Sequence, residues 1–118
     1  EFGTIMAYNT NIKMILLNNN YLGMVRQWQE LFFDERYSET HLENPDFIKI
    51  AEAYQIKGEK VTERKDLDAA IERMLAHDGP YLLEVVVETK GMVYPMVPGG
   101  GCVTDVLIGN GKTVKVEH

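Results

Sequence analysis

Two short apolar runs, each next to a polar turn, constrain the fold of this chain most strongly. Residues 11–17 end at Asn18-Asn19-Asn20, and residues 81–87 follow Asp78-Gly79-Pro80. Nearly continuous apolarity over a few residues is typical of strands covered on both faces, as in parallel sheets. Parallel neighbours need a crossover connection, which a helix usually supplies. The two runs therefore predict an α/β fold.

Helical patterns fill the stretches beside these runs. Apolar residues recur at steps of three and four from about Gly23, and again from Leu67 to Leu75. Asn44-Pro45-Asp46 is a typical helix start, with Asn44 as the N-cap of a helix that runs to about Tyr54. The N-terminal residues indicate the tail of a further helix. The polar, aperiodic residues 34–43 indicate a loop.

The alternation of strands and helices predicts a three-layer arrangement, with helices on both faces of a parallel sheet. A third short strand is expected over residues 58–62, so the sheet has about half of the usual number of strands. We therefore expect a partial domain over residues 1–90, with one sheet edge left open. The glycine- and proline-rich residues 91–101 begin a C-terminal arm, residues 91–118, whose end at 112–118 is a weak strand or tail.

Charge and cysteine content exclude some classes of function. The net charge is −6, which argues against nucleic acid and against an anionic membrane surface as partners. No apolar run approaches the roughly 20 residues of a membrane span. Cys102 is the only cysteine, which fits a reducing compartment and leads us to expect a cytoplasmic location.

The turn at Asn18-Asn19-Asn20 is the strongest candidate site. It follows a parallel strand and precedes a helix, and ligands of open α/β sheets bind at the carboxyl ends of the strands. A helix N-terminus suits a diphosphate, and amide or backbone oxygens are ligands that Mg²⁺ accepts. Three asparagines also simply make a good turn, so these residues alone leave both interpretations open.

Residues 17–29 read Leu-Asn-Asn-Asn-Tyr-Leu-Gly-Met-Val-Arg-Gln-Trp-Gln, and this stretch closely resembles the asparagine-pair segment of acetolactate synthases. The resemblance extends from Glu1 to about Leu107. It implies the C-terminal portion of a thiamine-diphosphate-binding domain from the large subunit. Further segments that carry it are Phe32-Phe33, Arg36-Tyr37-Ser38, Asn44-Pro45-Asp46-Phe47 and residues 94–100.

The resemblance implies roles for the residues at the turn and at the start of the following helix. Asn19 would bind Mg²⁺ through its side-chain oxygen, and Tyr21 would bind the same ion through its backbone carbonyl. Leu22 and Gly23 would place backbone groups near the diphosphate of the cofactor. Met24 would line the cofactor pocket.

The resemblance also implies a substrate and inhibitor site. Trp28 would shape the pocket of the acceptor 2-ketoacid, with Val25 beside it. Gly99 would lie in a loop that closes over the active site. Trp28 also lies on an apolar helical face, where a tryptophan more often belongs to a core, but the family match favours the site.

By the same resemblance, the intact enzyme decarboxylates pyruvate and condenses the two-carbon unit with pyruvate or 2-ketobutyrate, in branched-chain amino-acid biosynthesis. It is a homodimer or higher homo-oligomer with a regulatory small subunit, and a separate domain binds FAD. The acidic Mg²⁺ ligand of the family lies in a Gly-Asp-Gly upstream of the asparagine pair, whereas the first aspartate here is Asp34. We therefore expect no catalytic residue in this chain and no activity from the chain alone.

Two alternatives remain open from the sequence. The chain could belong to another thiamine-diphosphate enzyme, such as a catabolic acetolactate synthase or a pyruvate oxidase. It could also be a non-catalytic assembly module, in which the open sheet edge and the apolar Trp28 face are protein contacts.

Overall fold

The computed structural model describes residues 1–109 and 113–115. These residues form two compact units, one of Glu1–Tyr21 with Leu42–Thr89, and one of Leu22–His41 with the chain from Lys90 onward. None of the helices among these residues has the length and apolarity of a membrane span. The elements are α1 (Phe2–Tyr8), β1 (Lys13–Asn18), α2 (Gly23–Phe32), α3 (Phe47–Ala53), β2 (Lys57–Val61), α4 (Leu67–Ala76), β3 (Tyr81–Val86), β4 (Asp105–Leu107) and β5 (Thr113–Lys115).

The first unit is built on a parallel sheet with strand order β1-β3-β2. Strands β1 and β2 both pair with β3 in parallel. Lys13 of β1 and Lys57 of β2 align with the same residue of β3, Tyr81. The apolar β3 is the central strand, as its composition favours. This arrangement confirms the predicted α/β class.

Helices cover both faces of this sheet. On one face, Leu82 of β3 belongs to a cluster with Ile5 of α1 and Ala51 of α3. On the opposite face, Leu83 packs with Ala70 of α4. Successive residues of a strand point to opposite faces, so β3 contributes to both cores. The predicted three layers are therefore present.

One part of the sheet is uncovered. Along the described residues, β1 pairs with β3 and has no strand on its other side. Ile15 and Leu17 point to the same face as α4 but remain 55% and 67% exposed. The described part of the chain therefore leaves this edge strand with exposed apolar side chains.

One helix start differs from the prediction. The N-cap of α3 is Asp46, whose side chain accepts a hydrogen bond of 3.1 Å from the Lys49 N–H. The prediction of Asn44 as N-cap was wrong, because α3 begins at Phe47 and the residue directly before it is Asp46. The Asn44 amide instead donates to the side chains of Asn18 and Asn20.

The second unit contains α2, the loop that follows it and the C-terminal segment. The predicted loop at residues 34–43 forms no helix or strand. Met96 and Leu107 exchange backbone hydrogen bonds of 3.0 and 2.8 Å, and β4 pairs antiparallel with β5. The sequence did not predict β4. The predicted weak strand at 112–118 agrees with β5, while residues 112 and 116–118 lie outside the described residues.

Candidate active site

The asparagine turn begins where β1 ends. Asn18 is the last residue of β1 and aligns with Val86 near the end of β3, so the turn leaves the carboxyl edge of the parallel sheet. Its geometry is held by two short-range bonds, because Asn18 Oδ1 accepts from the Asn20 N–H at 2.9 Å and Asn19 Oδ1 from the Tyr21 N–H at 3.1 Å. Asn20 is left-handed, with φ of 57°, a conformation that asparagine tolerates. The turn therefore lies where the strand pattern predicts it.

A buried carboxylate orients the first asparagine of the turn. Asn18 Nδ2 donates to Glu84 Oε1 at 2.8 Å, and Glu84 is only 1% exposed. Lys60 Nζ lies 3.1 Å from the same oxygen. A carboxylate inside a protein needs such partners, because it loses its hydration on burial. A hydrogen bond from Asn18 to Glu84 thus connects the turn to the central strand of the sheet.

Asn44 completes this buried polar network. Its Nδ2 donates to Asn18 Oδ1 at 2.9 Å and to Asn20 Oδ1 at 3.3 Å. Asn18 therefore has partners on both its amide nitrogen and its amide oxygen. Since Asn19 lies between two residues that are held in this way, its side chain projects from a fixed backbone.

The sequence-based reasoning missed Glu84 and Asn44 as supports of the site. Glu84 had a signal, because it is a single acid in an otherwise apolar strand. Such a residue is rarely buried without a paired partner. Asn44 had no comparable signal, since its contacts lie 24 and 26 positions away along the chain.

The predicted Mg²⁺ ligands at the turn are the side-chain oxygen of Asn19 and the backbone carbonyl of Tyr21. The side-chain oxygen of Asn19 accepts one hydrogen bond, and an amide oxygen has a second lone pair. Both proposed donors are neutral oxygens, which Mg²⁺ accepts alongside phosphate oxygens. The part of the chain that the structure describes contains no group of three or more His, Cys, Asp or Glu that could hold a metal ion. Two neutral oxygens give a divalent cation no charged ligand, so these donors suit an ion that phosphate oxygens also bind.

Trp28 lines a cavity and is not a core residue. It lies on α2 and is 47% exposed. The cavity has a volume of about 630 Å³, and mainly apolar residues of α2, its C-terminal end and the C-terminal segment line it. Its lining consists of Met24, Trp28, Phe32, Phe33, Met96, Val97, Pro98 and Gly99.

The structure brings together some of the predicted residues of the second unit. Met24, Trp28 and Gly99 border the same cavity, although Gly99 is more than 70 positions away from the other two along the chain. Val25 is 40% exposed and is absent from the described lining. The metal and diphosphate roles of Asn19, Tyr21, Leu22 and Gly23, and the substrate role of Val25, stay predictions.

A polar cluster holds the loop after α2. Arg26 forms an ion pair with Glu30 at 2.7 Å, and the guanidinium lies 5.0 Å from the centre of the Tyr37 ring. The Tyr37 hydroxyl donates to Glu30 Oε2 at 2.9 Å. Partial desolvation and this hydrogen bond raise the pKa of Tyr37 above its ordinary value. The tyrosine therefore stays a hydrogen-bond donor at neutral pH.

Sequence comparisons with known proteins identify the family to which this domain belongs. Residues 1–85 match the family model described as thiamine pyrophosphate enzyme, C-terminal TPP binding domain. The acetolactate synthase isozyme 2 large subunit of Escherichia coli (strain K12) is 47% identical over 108 residues, which cover 91% of this chain and 20% of that protein. The mitochondrial acetolactate synthase catalytic subunit of Saccharomyces cerevisiae is 48% identical over 100 residues, covering 85% of this chain and 15% of that protein.

A solved structure shares the fold. The thiamine diphosphate-dependent 4-hydroxybenzoylformate decarboxylase of Rhodococcus jostii RHA1 superposes with a TM-score of 0.67 at 25% identity, over 76% of this chain and 17% of that one. This chain spans at most a fifth of the length of these proteins. The resemblance predicted from residues 17–29 is confirmed. The chain belongs to the thiamine pyrophosphate enzymes as a C-terminal TPP-binding domain, and in this domain it is similar to acetolactate synthase catalytic subunits.

Proposed function

We propose that this chain is the C-terminal part of the cofactor-binding domain in an acetolactate synthase catalytic subunit. The complete enzyme decarboxylates pyruvate and joins the two-carbon unit to pyruvate or 2-ketobutyrate, for branched-chain amino-acid biosynthesis. The observation that carries the proposal is the fixed turn at Asn19, at the carboxyl edge of a parallel sheet and directly before α2 along the chain. Ligands of open α/β sheets bind at such an edge.

In this proposal the turn holds the cofactor through a metal ion. The side-chain oxygen of Asn19 and the backbone carbonyl of Tyr21 bind Mg²⁺, and Leu22 and Gly23 place backbone groups near the diphosphate. The first N–H groups of α2 have no acceptors within the helix, and a helix start of this kind suits phosphate oxygens. Met24 packs beside the cofactor. Thiamine diphosphate, when bound, supplies the nucleophilic carbon and the electron sink of the reaction.

The cavity at Trp28 is the proposed acceptor site. Its volume of about 630 Å³ is within the range of about 300–1,000 Å³ that is usual for small-ligand pockets. The indole gives an apolar wall for the alkyl group of the acceptor, with Val25 beside it along the helix and Gly99 also in the lining of the cavity. Burial of one additional methylene is worth about 0.8 kcal/mol, which favours 2-ketobutyrate over pyruvate.

For the complete protein we further propose a homodimer or higher oligomer that binds a regulatory small subunit. It carries FAD on another domain and is located in the cytoplasm. The exposed Ile15 and Leu17 support further contacts, because apolar side chains on a sheet face are usually covered. The same surface supports the rival interpretation of a non-catalytic assembly module. The isolated chain is proposed to be inactive, since its candidate metal donors are two neutral oxygens.

A chimera tests the proposed activity. The matching segment of the E. coli isozyme 2 large subunit is replaced by this chain, and formation of acetolactate from pyruvate is measured. A second chimera carries the matching segment of the S. cerevisiae relative and serves as the control. We expect both chimeras to form acetolactate with Mg²⁺ and thiamine diphosphate. A folded but inactive chimera with this chain, beside an active control, contradicts the proposal and favours the assembly module.

A further inference from the structure

Gln27 is a buried polar residue for which the proposed reaction has no use. It lies on α2 between Arg26 and Trp28 and is only 1% exposed. Its Nε2 donates to the Val93 carbonyl at 3.0 Å, and its Oε1 accepts from the Val93 N–H at 2.7 Å. One side-chain amide thus pairs with both backbone groups of one residue, as a neighbouring strand does.

This pairing is specific to a glutamine. The amide presents one donor and one acceptor side by side, which match the carbonyl and the N–H of Val93. A glutamate would present two acceptors and would face the Val93 carbonyl with a like partial charge. A methionine would fill a similar volume but would remove the partner of both backbone groups of Val93, which is unfavourable because these hydrogen bonds are partly buried.

Gln27 acts at the start of the segment that forms one wall of the cavity. Val93 comes three residues before Met96, and Met96 to Gly99 line the same cavity as Trp28. Gln27 Nε2 also lies 3.0 Å from the Met96 sulfur. Adjacent residues of a helix point about 100° apart, so Gln27 can hold this segment while Trp28 faces the cavity.

We propose that Gln27 is a positioning residue that holds residues 93–99 against α2, and that it thereby sets the size of the apolar group that the Trp28 cavity accepts. The positioning is a property of the chain itself. Only the nature of the ligand, the alkyl group of an acceptor 2-ketoacid, rests on the proposed function.

Gln29 provides a matched control on the same helix. Its Nε2 donates to the Ser38 carbonyl at 2.9 Å, and its Oε1 accepts from the Ser38 N–H at 3.3 Å. It therefore pairs with a backbone in the same way as Gln27, but with the loop after α2 and not with the C-terminal segment. Gln29 is also absent from the described lining of the Trp28 cavity.

The first test uses the chain alone. Trp28 is the only tryptophan, so its fluorescence reports on the cavity directly. Acrylamide quenching of Trp28 and hydrogen exchange at the Val93 N–H are measured for the wild type, Gln27→Met, Gln27→Glu and Gln29→Met. Circular dichroism confirms that each variant is folded.

Gln27→Met should raise the quenching constant and accelerate exchange at Val93 by about tenfold, because the part-buried hydrogen bond of the Val93 N–H is lost. Since Trp28 is already 47% exposed, the quenching constant can rise by no more than about twofold. Gln27→Glu should give an intermediate exchange rate, because it keeps the acceptor for the Val93 N–H. Gln29→Met should match the wild type in both measurements. Folded Gln27 variants with unchanged quenching and exchange would overturn the positioning role.

The second test uses the active chimera and separates the two proposals. The ratio of kcat/KM for 2-ketobutyrate to that for pyruvate as acceptor is compared among the same variants. Gln27→Met should lower this ratio and tolerate a bulkier acceptor, such as 2-ketovalerate, while Gln29→Met should keep the ratio of the parent. An unchanged ratio in Gln27→Met would overturn the role in selectivity. An inactive parent chimera beside an active control would overturn the proposed function, but not the positioning seen in the isolated chain.

Discussion

The side-chain amide of Asn18 donates a hydrogen bond of 2.8 Å to the buried carboxylate of Glu84, across two neighbouring parallel strands. Both residues lie on the same face of the sheet, together with Lys60 of β2. The bond joins the centre of the sheet to the turn at its carboxyl edge. The position of the candidate metal ligand Asn19 therefore depends on a residue 65 positions further along the chain.

Removal of the Glu84 carboxylate should destabilise the chain strongly. Glu84→Leu leaves the Asn18 amide without its acceptor inside the protein and Lys60 without its counter-ion. Breaking a buried pair in this way costs about 3–5 kcal/mol in the free energy of unfolding, and the exposure of Lys60 places the expected value at the lower end. Glu84→Gln should cost less, because it keeps a hydrogen-bonding amide. Urea denaturation measures both, with the exposed Glu52→Gln as the control.

Asn44 should affect metal affinity without touching the metal. Asn44→Ala removes the donors to Asn18 and Asn20, which hold the two neighbours of Asn19. Loss of a residue that orients a metal ligand typically weakens metal binding by about 10–100-fold. The Mg²⁺ concentration for half-maximal activity of the chimera should rise accordingly. Asn11→Ala, at an exposed site before β1, should leave it unchanged, and an equal value for both variants would contradict the supporting role of Asn44.

Acid should weaken the contact between β2 and α4. Hydrogen bonding from Arg73, and then from Tyr81, lowers the pKa of Glu59 below its ordinary value. Burial and the bond to Glu59 raise the pKa of Tyr81 to about 12, so this hydroxyl stays protonated. A carboxyl whose folded pKa is depressed stabilises the fold above its unfolded pKa, about 4.3, and loses that effect as the pH falls through the folded pKa.

The thermal midpoint of Glu59→Gln should therefore lie below that of the wild type at pH 7, and the difference should shrink below about pH 4. Melting curves from pH 7 to below about pH 4 check this. The control is Glu63→Gln, at an exposed position beyond β2. A difference between the wild type and Glu59→Gln that stays constant with pH would contradict a stabilising role for the ionised carboxylate of Glu59.

The isolated chain should self-associate. Ile15 and Leu17 expose apolar side chains beside the free edge of β1, and such a surface favours association. Light scattering should give a mass above that of the monomer. Leu17→Lys should shift the chain towards the monomer, whereas Val103→Lys, which alters an exposed side chain of the other unit, should not. A monomeric wild type would rule out this role of the β1 surface.

The local patterns of the sequence were sufficient for much of the fold. The apolar stripe from Gly23 predicted the start of α2 at the correct residue, and the two apolar runs predicted β1 and β3 to within two residues at each end. These elements can be predicted because the apolar pattern that specifies each of them is contained in a short stretch of the chain. Strand β4 was missed because three residues, Asp105–Leu107, are too few to show a period.

The supports of the candidate site depend on contacts between distant parts of the chain. Asn44 was predicted as an N-cap from its neighbours Pro45 and Asp46, whereas its side chain is bound by Asn18 and Asn20. The pairing of Gln27 with Val93 spans 66 positions and has no local signature. Long-range hydrogen bonds of this kind override local preference, and one sequence does not reveal them.

Titration calorimetry of Mg²⁺ with thiamine diphosphate tests the central claim most directly. The native chimera, its Asn19→Ala variant, its Asn11→Ala variant and the isolated chain are compared. If Asn19 binds the ion through its side-chain oxygen, the Asn19→Ala substitution should raise the Kd by more than about tenfold. The Asn11→Ala substitution should leave the Kd unchanged. The isolated chain should show negligible binding. Equal affinity of the Asn19→Ala and native chimeras, or micromolar binding by the isolated chain, would contradict the assignment.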